Sequence, residues 1–265
     1  MLFATATRAK PMRHIALRLE SPLMSFGGEI IDNYGVTRRF PSASMLTGLI
    51  ANALGWRRVE RTSHQRLQDR LVFAVRIDRE PAGGAPIQDF QTAQLGKNDN
   101  GWTTRGTPEG RAGGAATYES PHLRYRDYFS DMLTTVAFRL EPADESPDID
   151  QVAVVLQEPA RPLFIGRKPC LPSEAMFAGF SDADTALAAL QAIPLFDPES
   201  AGETVSVLWP QREPAGTALV TRTYALTDQR NWDGSGLHGG GRMVCEGIID
   251  RAQFTSPQAP TAKDA

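Results

Sequence analysis

The stretch Val36–Trp56, VTRRFPSASMLTGLIANALGW, constrains this chain more than any other. Pro41 cannot continue a helix backwards and pushes Phe40 towards extended backbone, so a helix must begin just after it, with Ser42 or Ser44 as the cap. Met45, Leu46, Leu49, Ile50, Ala53 and Leu54 recur at helical spacing and mark a core-facing side. Gly48, Ala51 and Gly55 form a second side of small residues that another backbone can approach, and Gly55 is the expected stop. Arg38 and Arg39 stand ahead of the amide end of this helix, where free N–H groups and the helix dipole favour a phosphate. An ordinary capped core helix preceded by solvated arginines fits the same residues.

Around that helix the order of elements can be read. RHIALRLE, from Arg13 to Glu20, alternates Ile15, Leu17 and Leu19 with polar neighbours and predicts a strand with one buried face, followed by the glycine-rich loop SPLMSFGGE. Thr62 with Gln65 reads as a capping box opening a short helix to about Arg70, and LVFAVRID, from Leu71 to Asp78, reads as a second strand. Residues 89–127 then carry many glycines, threonines and arginines but few large apolar side chains. Ordering a residue costs about 1–2 kcal/mol of backbone entropy, so such a segment cannot fold on itself; an extended hairpin or flap is expected. Patterning resumes with the strand LTTVAFRL, a helix opened by Asp148 and Gln151 and ended by Pro159, and the extended stretch ARPLFIGRKP. A ferredoxin-like β-α-β-β-α-β unit fits this order, with the insertion between its second and third strands. Beyond it, a helix over Asp182–Ala192 capped by Ser181 and strands over Thr204–Trp209, Thr217–Leu226 and Arg242–Ile249 are expected. Residues 1–12 and 254–265 read as loose tails.

Composition sets the limits. The chain has 265 residues, 41% of them apolar, enough for a proper core. A net charge of −3 removes any need for a polyanion partner on bulk charge, so nucleic-acid contact must come from a local patch. All but four of the 28 basic residues are arginine, which suits bidentate phosphate contacts and equally reflects a GC-rich coding sequence. Cys170 and Cys245 match no metal or redox spacing and read as reduced thiols of a cytoplasmic protein; no apolar run reaches membrane-spanning length.

Four stretches gather cations with aromatic or glycine neighbours: VTRRFPS, WTTRGTPEGRAGG, PHLRYRDY and FIGRKPCLPS. Guanidinium groups pair with phosphates, rings stack on unpaired bases, and glycines admit close backbone approach, so together they suggest single-stranded RNA. Taken singly, each is equally a solvated face. For cleavage, His122 near Tyr125 and Tyr128 is the one plausible acid–base cluster, and a loop histidine making a structural hydrogen bond explains it as well. No spacing suggests a metal site. GSGLHG, Gly234–Gly239, matches GxGxxG but follows the polar turn TDQRNWD and runs into a strand, so it fails the test for dinucleotide binding.

The blocks LRLESPLMSFGG, RRFPSASMLTGLIANALGWRR, VFAVRID with DFQTA, RYRDYFSD and PLFIGRKPC, in this order and spacing, resemble the CasD family, the subtype I-E members of the RAMP proteins of CRISPR systems. The resemblance spans roughly residues 13–180. It implies an α+β fold: a ferredoxin-like or RRM-like palm over 13–180 with a thumb hairpin inserted at about 85–128, then a smaller β-rich region over 181–253. It further implies a non-catalytic subunit of a Cascade antiviral complex, without cofactor or metal. Such a subunit caps the 5′ handle of the CRISPR RNA, contacts the large and backbone subunits, and meets target DNA only through the complex. On that footing Arg38, Arg39, Ser42 and Ser44 hold handle phosphates, Arg167 and Lys168 add a second positive site, and Trp102, Arg105, Arg111, Tyr125 and Arg126 of the thumb wedge the RNA where handle meets guide. The alternative is a metal-independent endoribonuclease using His122 and Tyr125 on precursor CRISPR RNA. A protein scaffold with incidental RNA contact is a third reading.

Overall fold

Alternation along three strands decides how the molecule is layered. In the computed structural model, which describes residues 11–94, 121–234 and 238–254, β1 (Met12–Glu20), β5 (Leu71–Arg79) and β8 (Leu133–Leu140) lie side by side and antiparallel, with β8 in the middle. Their large side chains fall into cross-strand rows, Ile15–Phe138–Phe73 and Leu17–Val136–Val75, all on one face and fully buried. The intervening positions form a row of alanines, Ala16–Ala137–Ala74, on the other. One face therefore offers depth and the other offers close approach.

The deep face is covered by α1 (Ala43–Ala53), α2 (Arg61–Arg70) and α3 (Ile149–Gln157), which insert Leu46, Leu49, Ile50, Leu67, Val152 and Leu156 into the main core. Each such buried aliphatic side chain contributes about 1.5–3 kcal/mol, so most apolar stabilisation lies on this side. The alanine face receives α4 (Ala186–Ala192), whose Ala186, Leu187, Ala189 and Leu190 join Trp209 and Val207 in a second core. This short helix is held at both ends by buried charge of the right sign. Glu213 accepts from the Ala186 and Leu187 amides at its start, and Arg76 donates to the Leu190 and Ile193 carbonyls at its end. Arg76 is itself neutralised by Asp78, both side chains being fully buried.

The main sheet has seven strands among the described residues. β9 (Phe177–Ala183) lies outside β1, and on the other side β5 is followed by β10 (Thr204–Pro210), β12 (His238–Asp250) and β11 (Leu219–Arg230). A second sheet is built around β7 (His122–Ser130), which pairs with β2 (Leu23–Met24), β4 (Tyr34–Gly35) and, from His122 to Tyr128, with all of β6 (Ile87–Ala93); β3 (Ile30–Ile31) completes it. The strands β6 and β7 pair antiparallel and lie between β5 and β8 in the chain, where the sequence predicts an extended hairpin.

The mixed α+β class, the first helix and its Gly55 stop agree with expectation; Ser42 is the cap, its Oγ accepting from the Met45 amide, and Gly55 has φ +76°. Three local expectations are corrected. The second helix starts two residues earlier, with Glu60 at its cap in place of Thr62 and no capping side chain; Gln65 and Thr62 are occupied with Trp232 and Asp233 instead. Residues 177–183 are strand, because FAGFSDA pairs with β1, so the following helix begins at Ala186 under Thr185 and not at Asp182 under Ser181. The side chain of Ser181 lies against that helix from outside, donating to the Ala189 carbonyl. Gly48 meets no neighbour at all where a Cβ would stand, so this part of the small-residue side of α1 faces open space rather than another backbone.

Buried among these elements, His14 donates from Nδ1 to the Met12 carbonyl. Its Nε2 must accept from Arg139, since a guanidinium can only donate. Burial, and then the Arg139 charge, hold its pKa below the ordinary histidine value. The unfolded chain takes up this proton near pH 6.5 and the folded chain does so only at lower pH, so stability falls as pH drops below about 6.5. Thermal melts from pH 7.5 to pH 5 are expected to show that decline, and His14→Gln to flatten it.

Candidate nucleic-acid interface

The exposed side of α1 is the floor of a groove of about 540 Å³. One wall is the loop Ser25–Gly28 with Arg38, the end wall is Leu163–Arg167, and the far wall is the end of β11, Thr227–Arg230, with Trp232. Ser44, Met45, Gly48 and Asn52 look into it from the helix. The end wall depends on Gly166. Its φ is +82°, and a Cβ there would overlap the Ser25 carbonyl oxygen, so only glycine lets the turn GRKPC pack onto the first loop. The Ser25 amide in turn reaches the Ile165 carbonyl.

The far wall is held by a buried carboxylate. Asp228 Oδ2 accepts from the Ala43 amide at 3.0 Å, and the same side chain is ion-paired with Arg242, whose guanidinium lies 4.1 Å from the centre of the Phe73 ring. At the start of α1, protein groups take two amides: Asp228 that of Ala43 and Ser42 that of Met45. Two of the amides that the sequence reading leaves free at this end are therefore taken, the first of them by an acidic side chain far along the chain.

Of the residues named from the sequence, Arg38, Ser42, Ser44 and Arg167 come together around this one groove. Arg38 pairs with Glu29 and donates to the Thr227 carbonyl. Arg167 donates to the Gly35 and Asp127 carbonyls and lies over the Tyr128 ring, so it ties the turn GRKPC to β4 and β7. The hydroxyl of Ser42 is buried, and that of Ser44 lies 3.2 Å from it. Arg39 turns elsewhere, to Glu80 and Ser206, and is not among the lining residues. Lys168 is exposed on the adjoining turn.

On the hairpin, Tyr125 stacks on Tyr34 at 4.9 Å and leans on Phe90, while Arg126 donates to Gln91. Trp102, Arg105, Arg111 and the side chain of His122 lie outside the described residues. Tyr128 is buried in the core.

Sequence reading missed the far wall. TDQRNWD reads as a polar turn, yet its Arg230 and Trp232 line the groove. Trp232 donates through its backbone amide to Gln65 and through Nε1 to Gln68. An arginine two residues from a tryptophan, at the end of a strand, was the available signal.

The architecture recurs in solved structures. A chain of a CRISPR RNA-guided surveillance complex superposes with a TM-score of 0.58 at 24% identity, covering 89% of both chains. A crystal structure of a Cas protein gives the same TM-score at 22% identity over 94% of this chain and all of that one. These likenesses define the fold. The family model described as CRISPR-associated protein (Cas_Cas5) matches residues 14–235, and the chain belongs to that family. Among curated proteins it is similar to the CRISPR system Cascade subunit CasD of Escherichia coli (strain K12), at 28% identity over 170 residues, 64% of this chain and 72% of the relative. The family indicated by the five sequence blocks is borne out.

Since Asp228 is buried and Arg242 nearly so, removing one partner leaves the other charged and uncompensated. Asp228→Ala is expected to destabilise the chain by about 3 kcal/mol in denaturant unfolding, with Asp228→Asn, which keeps an acceptor for the Ala43 amide, costing less.

Proposed function

We propose that the chain is a non-catalytic subunit of a subtype I-E Cascade complex that binds the 5′ handle of the CRISPR RNA and bridges to the large and backbone subunits. The observation that carries this reading is the groove, in which Arg38, Ser44 and Arg167, drawn from three separate stretches of the chain, surround one trough beside the base of a hairpin. A trough with guanidinium groups on its walls and a glycine in its floor suits a single-stranded sugar–phosphate chain. The family membership and the likeness to the Cascade subunit CasD support the setting.

In this reading residues 13–180 are the palm. The sheet order β9-β1-β8-β5, with α1 and α2 between the first pair of strands in sequence and α3 between the second, supports a ferredoxin-like description. The hairpin of β6 and β7 is the thumb, its connection carrying Trp102, Arg105 and Arg111 to the junction of handle and guide. Tyr125, stacked on Tyr34 and tilted against Phe90, and Arg126 form its root. Residues 181–253 continue the palm as a smaller β-rich region. Arg38, Ser44 and Arg167 take handle phosphates. Ser42 fixes the helix beneath them, and Arg39 and Lys168 add positive potential outside the trough. No described helix is long and apolar enough to cross a membrane, and a cytoplasmic ribonucleoprotein is the setting we propose.

The test is a salt titration of binding to handle-sequence RNA, read by fluorescence anisotropy. Removing a single phosphate-binding cation should lower the slope of log affinity against log salt by about 0.7. Arg38→Gln with Lys168→Gln is expected to reduce the slope by about 1 to 1.5, with the RNA recovered intact after incubation in EDTA. Unchanged slopes, or a product ending in a 2′,3′-cyclic phosphate, would overturn the proposal.

A further inference from the structure

The arginines that line the groove are not equivalent. Arg38 and Arg167 already donate to protein acceptors, to Glu29 and the Thr227 carbonyl in one case and to two backbone carbonyls in the other. Arg230 is different. Among the described residues its guanidinium meets no acceptor. It lies against the indole of Trp232, 4.9 Å from the ring centre, with its donor fork left over.

Its placement is fixed by α2. Gln68, only 2% exposed, donates from Nε2 to the Arg230 carbonyl, while its Oε1 accepts from both the Arg230 amide and Trp232 Nε1. Gln65 takes the Trp232 amide. On its other side Trp232 meets His64, which in turn packs edge-on against Trp56. Two glutamines thus fix the Arg230 backbone and the Trp232 ring, and that ring, backed by His64 and Trp56, carries the guanidinium at the end of the groove. Burial, and the neighbouring positive charge of Arg58, lower the Arg230 pKa. A half-buried, oriented and uncompensated guanidinium stores unfavourable electrostatic energy that an arriving anion releases. An anion here also displaces no protein partner, as it must at Arg38 and Arg167.

We propose that Arg230 is the phosphate-holding residue at the α2 end of the groove, taking two oxygens of one phosphodiester of single-stranded RNA. Trp232 and Gln68 are positioning residues for it. The inference rests on the RNA-binding reading of the groove and names within it a contact absent from the residues that sequence alone suggests. The path of the RNA then runs along α1, from Arg167 and Arg38 to Arg230.

The experiment uses the full chain and a fluorescein-labelled single-stranded RNA across a range of salt. Arg230→Gln is expected to weaken binding roughly fivefold to twentyfold at low salt and to reduce the salt slope by about 0.7, with an unchanged melting temperature. Arg230→Lys keeps the charge but not the fork or the stacking, so it should restore the slope and only part of the affinity. Gln68→Leu should weaken binding in the same direction by releasing the Arg230 backbone and the Trp232 indole against which the guanidinium rests. Arg212→Gln, an exposed arginine outside the groove, removes the same net charge and should leave the slope unaltered. If the wild-type chain binds RNA and Arg230→Gln retains its slope, this inference fails while the RNA-binding reading stands. Were that variant also to lose binding to a neighbouring subunit, Arg230 would be a docking point for a protein carboxylate. A lower affinity with a lower melting temperature and unchanged slope would make its role structural and likewise overturn the proposal. No binding by the wild-type chain at any salt would remove both.

Discussion

One buried carboxylate holds the groove together. Asp228 sits near the end of β11 and takes the first amide of α1, 185 residues earlier in the chain, while Arg242 from the neighbouring β12 neutralises it. Among the described residues that link is the hydrogen bond that ties the C-terminal strands to α1 itself, while Arg38 and the α2 glutamines Gln65 and Gln68 hold Thr227, Arg230 and Trp232 on either side of it. The desolvation of the carboxylate is offset only because an amide at a helix start, a guanidinium and an aromatic face all converge on the same place. The groove is thus a product of long-range closure and not of any one motif.

The same logic explains what sequence could and could not reveal. Strand alternation in RHIALRLE and LTTVAFRL and the apolar spacing after Pro41 are local signals, so the first strands, the first helix and the hairpin between β5 and β8 were legible. The boundary at 177–186 was not, because FAGFSDA becomes a strand through pairing with β1 and through nothing in its own composition. Helix capping at Thr62 failed for a related reason: its candidate cap groups are engaged by Trp232 and Asp233, residues that sequence spacing cannot bring near.

Arginine content is the clearest case. An arginine-rich chain invites a reading as a nucleic-acid binder, yet much of that arginine is internal mortar. Arg70 donates to the Pro142, Glu145 and Pro147 carbonyls, Arg76 closes α4, Arg139 bridges His14 and Glu213, and Arg161 donates to the Gly55 and Trp56 carbonyls in the turn after α1. Planar, multiply donating groups suit this task because one side chain can satisfy several carbonyls at once. What separates the arginines of the groove from these is location, and in Arg230 a donor fork that meets no acceptor among the described residues; neither is visible in composition.

The glycine in the floor of the groove has its own consequence. Residue 48 lies within a helix, where glycine gives up about 1 kcal/mol relative to alanine, and nothing in the surrounding packing requires the missing Cβ. A bulkier residue there would strengthen α1 and at the same time narrow the trough above it. Helix stability and carrying capacity are therefore set against one another at a single position. The width available to a guest along α1 can be adjusted by one substitution without disturbing the walls.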